Sequence, residues 1–188
     1  MMKYCYVTIF VFSLFRFGTS SNTIFRTHEI QDRRGRLVVM AGNLFAWFTA
    51  ILISIFFVDN IPAIIWFLGI CAHALCWASF EYLGKISRNR LTTAFSKDVP
   101  QVLIQEGLYK YIRHPFYSVY MTSHFTSALI TFHPLVIVNS LLMALIYFYA
   151  AHFEEQKFLD SELKSDYRRY KESAGMFLPR WPKKRVIP

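Results

Sequence analysis

Four long apolar runs, Leu37 to Val58, Ile61 to Leu83, Phe116 to Phe132 and Leu135 to Phe153, contain between them one charged side chain, Glu81. A helix crosses the hydrocarbon core of a bilayer with roughly 17 to 25 predominantly apolar residues. Lipid offers backbone N–H and C=O groups no partner, so runs of this kind are confined to helix. A fifth run, Tyr4 to Phe17, is shorter and carries Arg16, whose aliphatic stem can reach the interface. Lys3, the short apolar core and Gly18-Thr-Ser-Ser21 also have the outline of a secretory signal, but we read this segment as a retained helix. The expectation is one all-α integral membrane domain over residues 1–188 with about five transmembrane helices, near 4–17, 37–58, 61–83, 116–132 and 135–153. A cytoplasmic C-terminal helix and tail occupy 154–188.

Composition agrees, since 54% of residues are hydrophobic and only 18% charged, too oily for an ordinary soluble domain of this size. The net charge of +9 raises nucleic acid as a partner, yet the basic residues fall in the gaps between apolar runs and in the tail, not on one compact face. Nucleic-acid binding is excluded on that ground, and the lipid bilayer is the expected partner, with no sign of an obligate protein partner. Cys5, Cys71 and Cys76 are odd in number, lie in apolar runs and lack metal-ligand spacing, so no metal site is expected.

With five spans, all 21 Lys and Arg residues except Lys3 fall at one membrane face, which the positive-inside rule makes cytoplasmic. The opposite connections, Asp59-Asn60 and His133-Pro134, are tiny, so any chemistry is expected at the cytoplasmic face. There, Gly107-Leu-Tyr109-Lys-Tyr-Ile-Arg113-His114-Pro115-Phe-Tyr117 leads into the fourth run, and the fifth ends in Glu154-Glu155. Pro115 suits the first turn of a helix, where its missing N–H is not needed, and His114 then falls at the cap. Leu159, Leu163, Tyr167 and Tyr170 recur at spacings of four, four and three and form one face of a further helix. Polar groups concentrated beside hydrocarbon at both ends of one helical hairpin mark a functional site. His73 and His124 read instead as hydrogen-bonding residues between helices, Glu81 as a cap or interface residue, and Tyr167 and Tyr170 as packing.

Between about Phe95 and Pro182 the order Leu103-Ile104, Gly107, Tyr109, Arg113-His114-Pro115, Tyr117, Glu154-Glu155, Tyr167 and Tyr170 resembles the isoprenylcysteine carboxyl methyltransferases and their phospholipid methyltransferase relatives. The resemblance implies transfer of a methyl group from S-adenosyl-L-methionine to a lipid-linked or membrane-soluble acceptor. It implies cofactor contacts at Gln101, Val102, Leu103 and Ile104, at Tyr109, at His114, Pro115, Phe116 and Tyr117, and at Glu154 and Glu155. Gln101 stands where many relatives have His.

Such a cofactor carries a sulfonium, an ammonium, a carboxylate and an adenine. Glu154 or Glu155 suits the positive groups, Arg113 and the start of the fourth helix suit the carboxylate, and Leu103, Ile104 and Tyr109 suit the adenine. Adjacent helical residues point about 100° apart, so one glutamate is expected to face the cofactor and the other to anchor the connector. Arg113 and His114 are the expected catalytic residues. His152 is the expected substrate contact and, with His114, a base for an amine or hydroxyl acceptor. Tyr149-Ala-Ala-His152-Phe153 lacks the basic residues that prenylcysteine enzymes carry there, and Lys171-Glu-Ser173-Ala-Gly175 lacks their Arg-Val-Pro element. A lipid amine, thiol, hydroxyl or carboxylate therefore stays open as acceptor. The competing readings are an NADPH-dependent sterol-type reductase and a non-enzymatic scaffold or transporter subunit.

Overall fold

In the computed structural model, residues 1–26, 33–88, 90–92, 95 and 98–181 are described, and the basic residues of the tail beyond Trp181 lie outside them. Six α-helices stand among the described residues: α1 (Met2–Ile24), α2 (Arg33–Phe56), α3 (Ala63–Ser87), α4 (Pro115–Thr131), α5 (Pro134–Leu159) and α6 (Lys164–Ser173). The only regular strands among them are two-residue segments, Phe25–Arg26 and Leu91–Thr92, paired in parallel.

Three helical segments, Arg34–Phe56, Ala63–Ser87 and Pro134–Leu159, are long and apolar enough to cross a membrane. The expectation of about five spans is thus met by length and composition for three. α4 closes after 17 residues. α1 runs past Phe17 to Ile24, but Lys3, Arg16 and interspersed Tyr, Ser and Thr dilute its apolar character.

The five longer helices lie side by side in alternating directions. At one end of the bundle Lys3 Nζ on α1 donates to Ile55 O and Val58 O at the close of α2, and Tyr6 packs on Trp66 of α3 and bonds Ser127 near the end of α4. At the other end Phe17 of α1 meets Phe80 of α3, which meets Phe116 at the start of α4. Two turns fix the reversals. Asn60, at φ 61°, turns the chain between α2 and α3. Phe132, at φ 46°, ends α4 by donating its N–H to Ala128 O, and the His133 imidazole then accepts the Leu135 N–H to start α5 with Pro134 in its first turn.

Apolar packing alone drives helices together only weakly in lipid, so hydrogen bonds between helices take on part of the specification. Asn43 of α2 accepts from His124 Nε2 of α4 at 3.0 Å and from the Tyr147 hydroxyl of α5. His73 of α3 meets Ser123 of α4, and Arg16 of α1 holds Glu81 of α3 at 2.8 Å. These contacts agree with the reading of His73 and His124 as bundle residues, and they register α4 and α5 so that the ends carrying Pro115 and Glu154 meet.

Candidate functional site

The connector reaches α4 through a 3₁₀ turn, Gly107–Lys110. Gly107 sits at φ 56°, a conformation that side chains resist, and a Cβ there would come within 2.6 Å of Ile86 Cδ1 and 2.7 Å of the Tyr82 hydroxyl. Tyr109 is buried with its hydroxyl 3.1 Å from Ser87 Oγ, and its carbonyl accepts from the Tyr170 hydroxyl at 2.6 Å. The turn is thereby pinned to α3 on one side and to α6 on the other.

The chain beyond α6 runs parallel to the connector and closes over it. Gly175 N–H donates to Tyr111 O, Arg113 N–H to Gly175 O at 2.8 Å, and His114 N–H to Met176 O at 3.1 Å. Ser118 Oγ adds a bond to Phe177 O at 2.7 Å. Gly175 is required for the tight turn that follows it, since a Cβ there would fall 2.0 Å from the Leu178 carbonyl oxygen, a backbone atom that cannot swing aside.

Charge is arranged around the two glutamates. Glu155 is buried, and its carboxylate accepts from Arg113 Nε and from Lys171 Nζ at 2.8 Å each. Arg113 also donates from its terminal nitrogen to Lys171 O and Ala174 O, so the guanidinium clips α5, α6 and the connector together. Glu154 turns the other way, toward open space, and accepts from the Tyr117 hydroxyl. His114 lies between them, Nδ1 at 3.4 Å from Glu154 and Nε2 at 3.4 Å from Glu155. Burial acts to lower its pKa, but hydrogen bonds and negative charge from the two glutamates outweigh that and raise it above the ordinary value of 6.5. Each ring nitrogen thus lies beside a carboxylate oxygen, an arrangement that favours the charged ring.

A cavity of about 670 Å³ opens against Glu154. Val102, Leu103, Ile104, Tyr109, Arg113, His114, Pro115, Phe116, Tyr117 and Glu154 all line it, together with Tyr167 and Tyr170. From this polar end it runs along α2 past Asn43, Leu44, Trp47 and Phe48 to Ile51. Three residues expected in the site stand outside its wall. Gln101 is exposed. Glu155 faces Arg113 and Lys171, which makes it the anchoring member of the acidic pair. His152 is exposed and meets Gln156, because Tyr147, Ala150, Ala151 and Glu155 occupy the inward face of α5.

Sequence reasoning missed the α2 wall and Lys171. The wall had a signal, an Asn and a Trp one turn apart in a run without charge. Nothing set Lys171 apart from the other basic residues beyond the membrane. Tyr167 and Tyr170 pack as expected but also border the cavity.

The family model described as phospholipid methyltransferase matches residues 63–165, from the start of α3 to the first turn of α6. The matched span holds the connector, the α4–α5 hairpin and both glutamates. α1, α2 and the clamp around Gly175 lie outside it. No curated protein matches the chain.

Proposed function

Because the chain belongs to the phospholipid methyltransferase family, we propose that it transfers a methyl group from S-adenosylmethionine to a membrane-soluble acceptor at the cytoplasmic face of a membrane that it crosses several times. One observation carries this reading: a single cavity joins a charged end, at His114 and Glu154, to an apolar end along α2. A donor with charged groups and an oily acceptor need such a junction.

The donor set fits the cofactor. Glu154, in the cavity wall, suits the ammonium or the sulfonium, and Leu103, Ile104 and Tyr109 suit the adenine. The His114 ring, favoured in its charged form by the two glutamates, and the Arg113 edge suit the carboxylate. S-adenosylmethionine would supply the electrophilic methyl group. The chain's own task is to align nucleophile, methyl carbon and sulfur and to exclude water, an effect worth about 7–11 kcal/mol when the geometry is well held. Tyr117 holds Glu154, and the clamp of residues 174–177 holds Arg113 and His114, so the polar end is fixed before any ligand arrives. A carboxylate acceptor needs no base at neutral pH.

Thermal unfolding of the detergent-solubilised chain with S-adenosylhomocysteine and, separately, with NADPH tests the reading. A ligand that binds only the folded state adds about 2.7 kcal/mol at a hundred times its dissociation constant. We expect stabilisation by S-adenosylhomocysteine alone. Stabilisation by NADPH alone would move the chain to reductase chemistry, and stabilisation by neither would leave it a scaffold.

A further inference from the structure

We propose that Arg36 is a specificity-determining residue of the cavity and that it binds an anionic oxygen group, carboxylate or phosphate, on the methyl acceptor. The inference rests on the methyltransferase reading of the same cavity and adds to it the residue that receives the acid group of the acceptor.

Two arginines reach the cavity wall, and their situations differ. Arg113 is already charge-paired: its Nε holds Glu155, and one terminal nitrogen holds two backbone carbonyls. Arg36 lines the same cavity half-buried, and among the described residues its guanidinium meets no carboxylate and no carbonyl. Every other cation in or beside the polar end has an acidic partner, since Lys171 holds Glu155 and His114 lies between both glutamates. A guanidinium offers five donors in a flat fork suited to carboxylate or phosphate oxygens. Half-buried and without an acceptor among the described residues, it is placed to take one from a ligand in the cavity.

Its position separates acceptor from donor. Arg36 is carried by α2, whose cavity face continues through Met40, Asn43, Trp47 and Ile51, one helical turn after another, toward the middle of the apolar run. An amphiphile with its acid at Arg36 would lay its tail along that face. The carboxylate of the donor already has His114 and Arg113 at the other wall. α2 lies outside the part of the chain that matches the family, where a group that selects among acceptors would stand apart from the machinery common to relatives.

Trp47, in the wall, gives a native reporter. Quenching of tryptophan emission by 11-bromoundecanoic acid and by its methyl ester compares an acid with a neutral amphiphile of the same tail, using the full chain in detergent. The acid should bind at least tenfold more tightly than the ester. Arg36→Met should abolish that preference and leave the ester unchanged, while Arg36→Lys keeps part of it. Calorimetric affinity for S-adenosylhomocysteine should be the same in all three chains. Equal binding of acid and ester to the natural chain, or equal loss of both in Arg36→Met, would overturn the proposal. So would a loss of S-adenosylhomocysteine affinity in Arg36→Met with 5′-methylthioadenosine, which lacks the amino-acid part, unaffected, because Arg36 would then serve the donor. If the natural chain prefers the acid but binds no S-adenosylhomocysteine, the acid site stands and the methyltransferase reading fails.

Discussion

Replacing Glu155 by Gln keeps the shape of the side chain and removes the charge on which three cations converge. The carboxylate is 2% exposed and Arg113 is 9% exposed, so Glu155→Gln leaves a buried guanidinium without its counter-ion. Removing one member of a buried ion pair costs about 3–5 kcal/mol. Lys171 is 44% exposed, so its ammonium returns to solvent and contributes at most about 1 kcal/mol. The glutamine oxygen still accepts one bond from Arg113, which offsets about 1 kcal/mol. The net expectation is a loss of about 3 kcal/mol, or about 6–12 °C in melting temperature on the scale of soluble chains of this length. Hydrogen exchange should localise the loss, with the N–H groups of Arg113, His114 and Gly175 losing protection while α2 and α3 keep theirs. Arg113→Met combined with Glu155→Leu should recover most of the stability, because apolar replacement of both members removes the stranded charge. A Glu155→Gln chain that melts with the natural one and keeps protection at Gly175 would refute the assignment of Glu155 as anchor.

The neighbouring Glu154→Gln should cost less stability than Glu155→Gln but reduce affinity for S-adenosylhomocysteine about tenfold or more, as expected for one charge-assisted bond of about 1.5–3 kcal/mol; calorimetry checks it, and equal affinity would remove Glu154 from the donor site. The folded protein raises the His114 pKa above 6.5, so the stabilisation from its charged form is present in full below that value and is lost as pH rises through the raised one. Melting temperature measured against pH should therefore fall across that window in the natural chain and lose this component in His114→Asn. Gly175→Ala should destabilise by about 1–3 kcal/mol through the clash with the Leu178 carbonyl, and limited proteolysis should cut near residues 174–180 faster than in the natural chain.

The helices and the pairing of the α4–α5 hairpin were legible in the sequence because apolar length, Pro115, Pro134 and the short His133 connection act locally. The approach of Arg113-His114 to the acidic pair was legible for the same reason, as a two-helix hairpin brings its own ends together. Which glutamate faces the cavity was not, since adjacent helical residues differ only by a rotation that the packing of α5 on α2 and α4 decides. The length of α1 was underestimated because Arg16, expected to snorkel, pairs with Glu81 on α3, and its helix continues beyond. The clamp of residues 174–177 escaped notice because backbone bonds between distant segments leave no residue signature beyond a glycine. His152 looked suited to the site by chemistry alone, and helical phase turns it outward.

The carbonyls that fix Arg113 belong to residues 58 and 61 positions further along the chain. A nascent chain that has made only its first helices therefore lacks the groups that hold Arg113 at the cavity wall, however well those helices have formed. On the proposed reading, a chain cut short before Ala174 is expected to bind no S-adenosylhomocysteine, because the fastening of Arg113 is the last part of the molecule to be made.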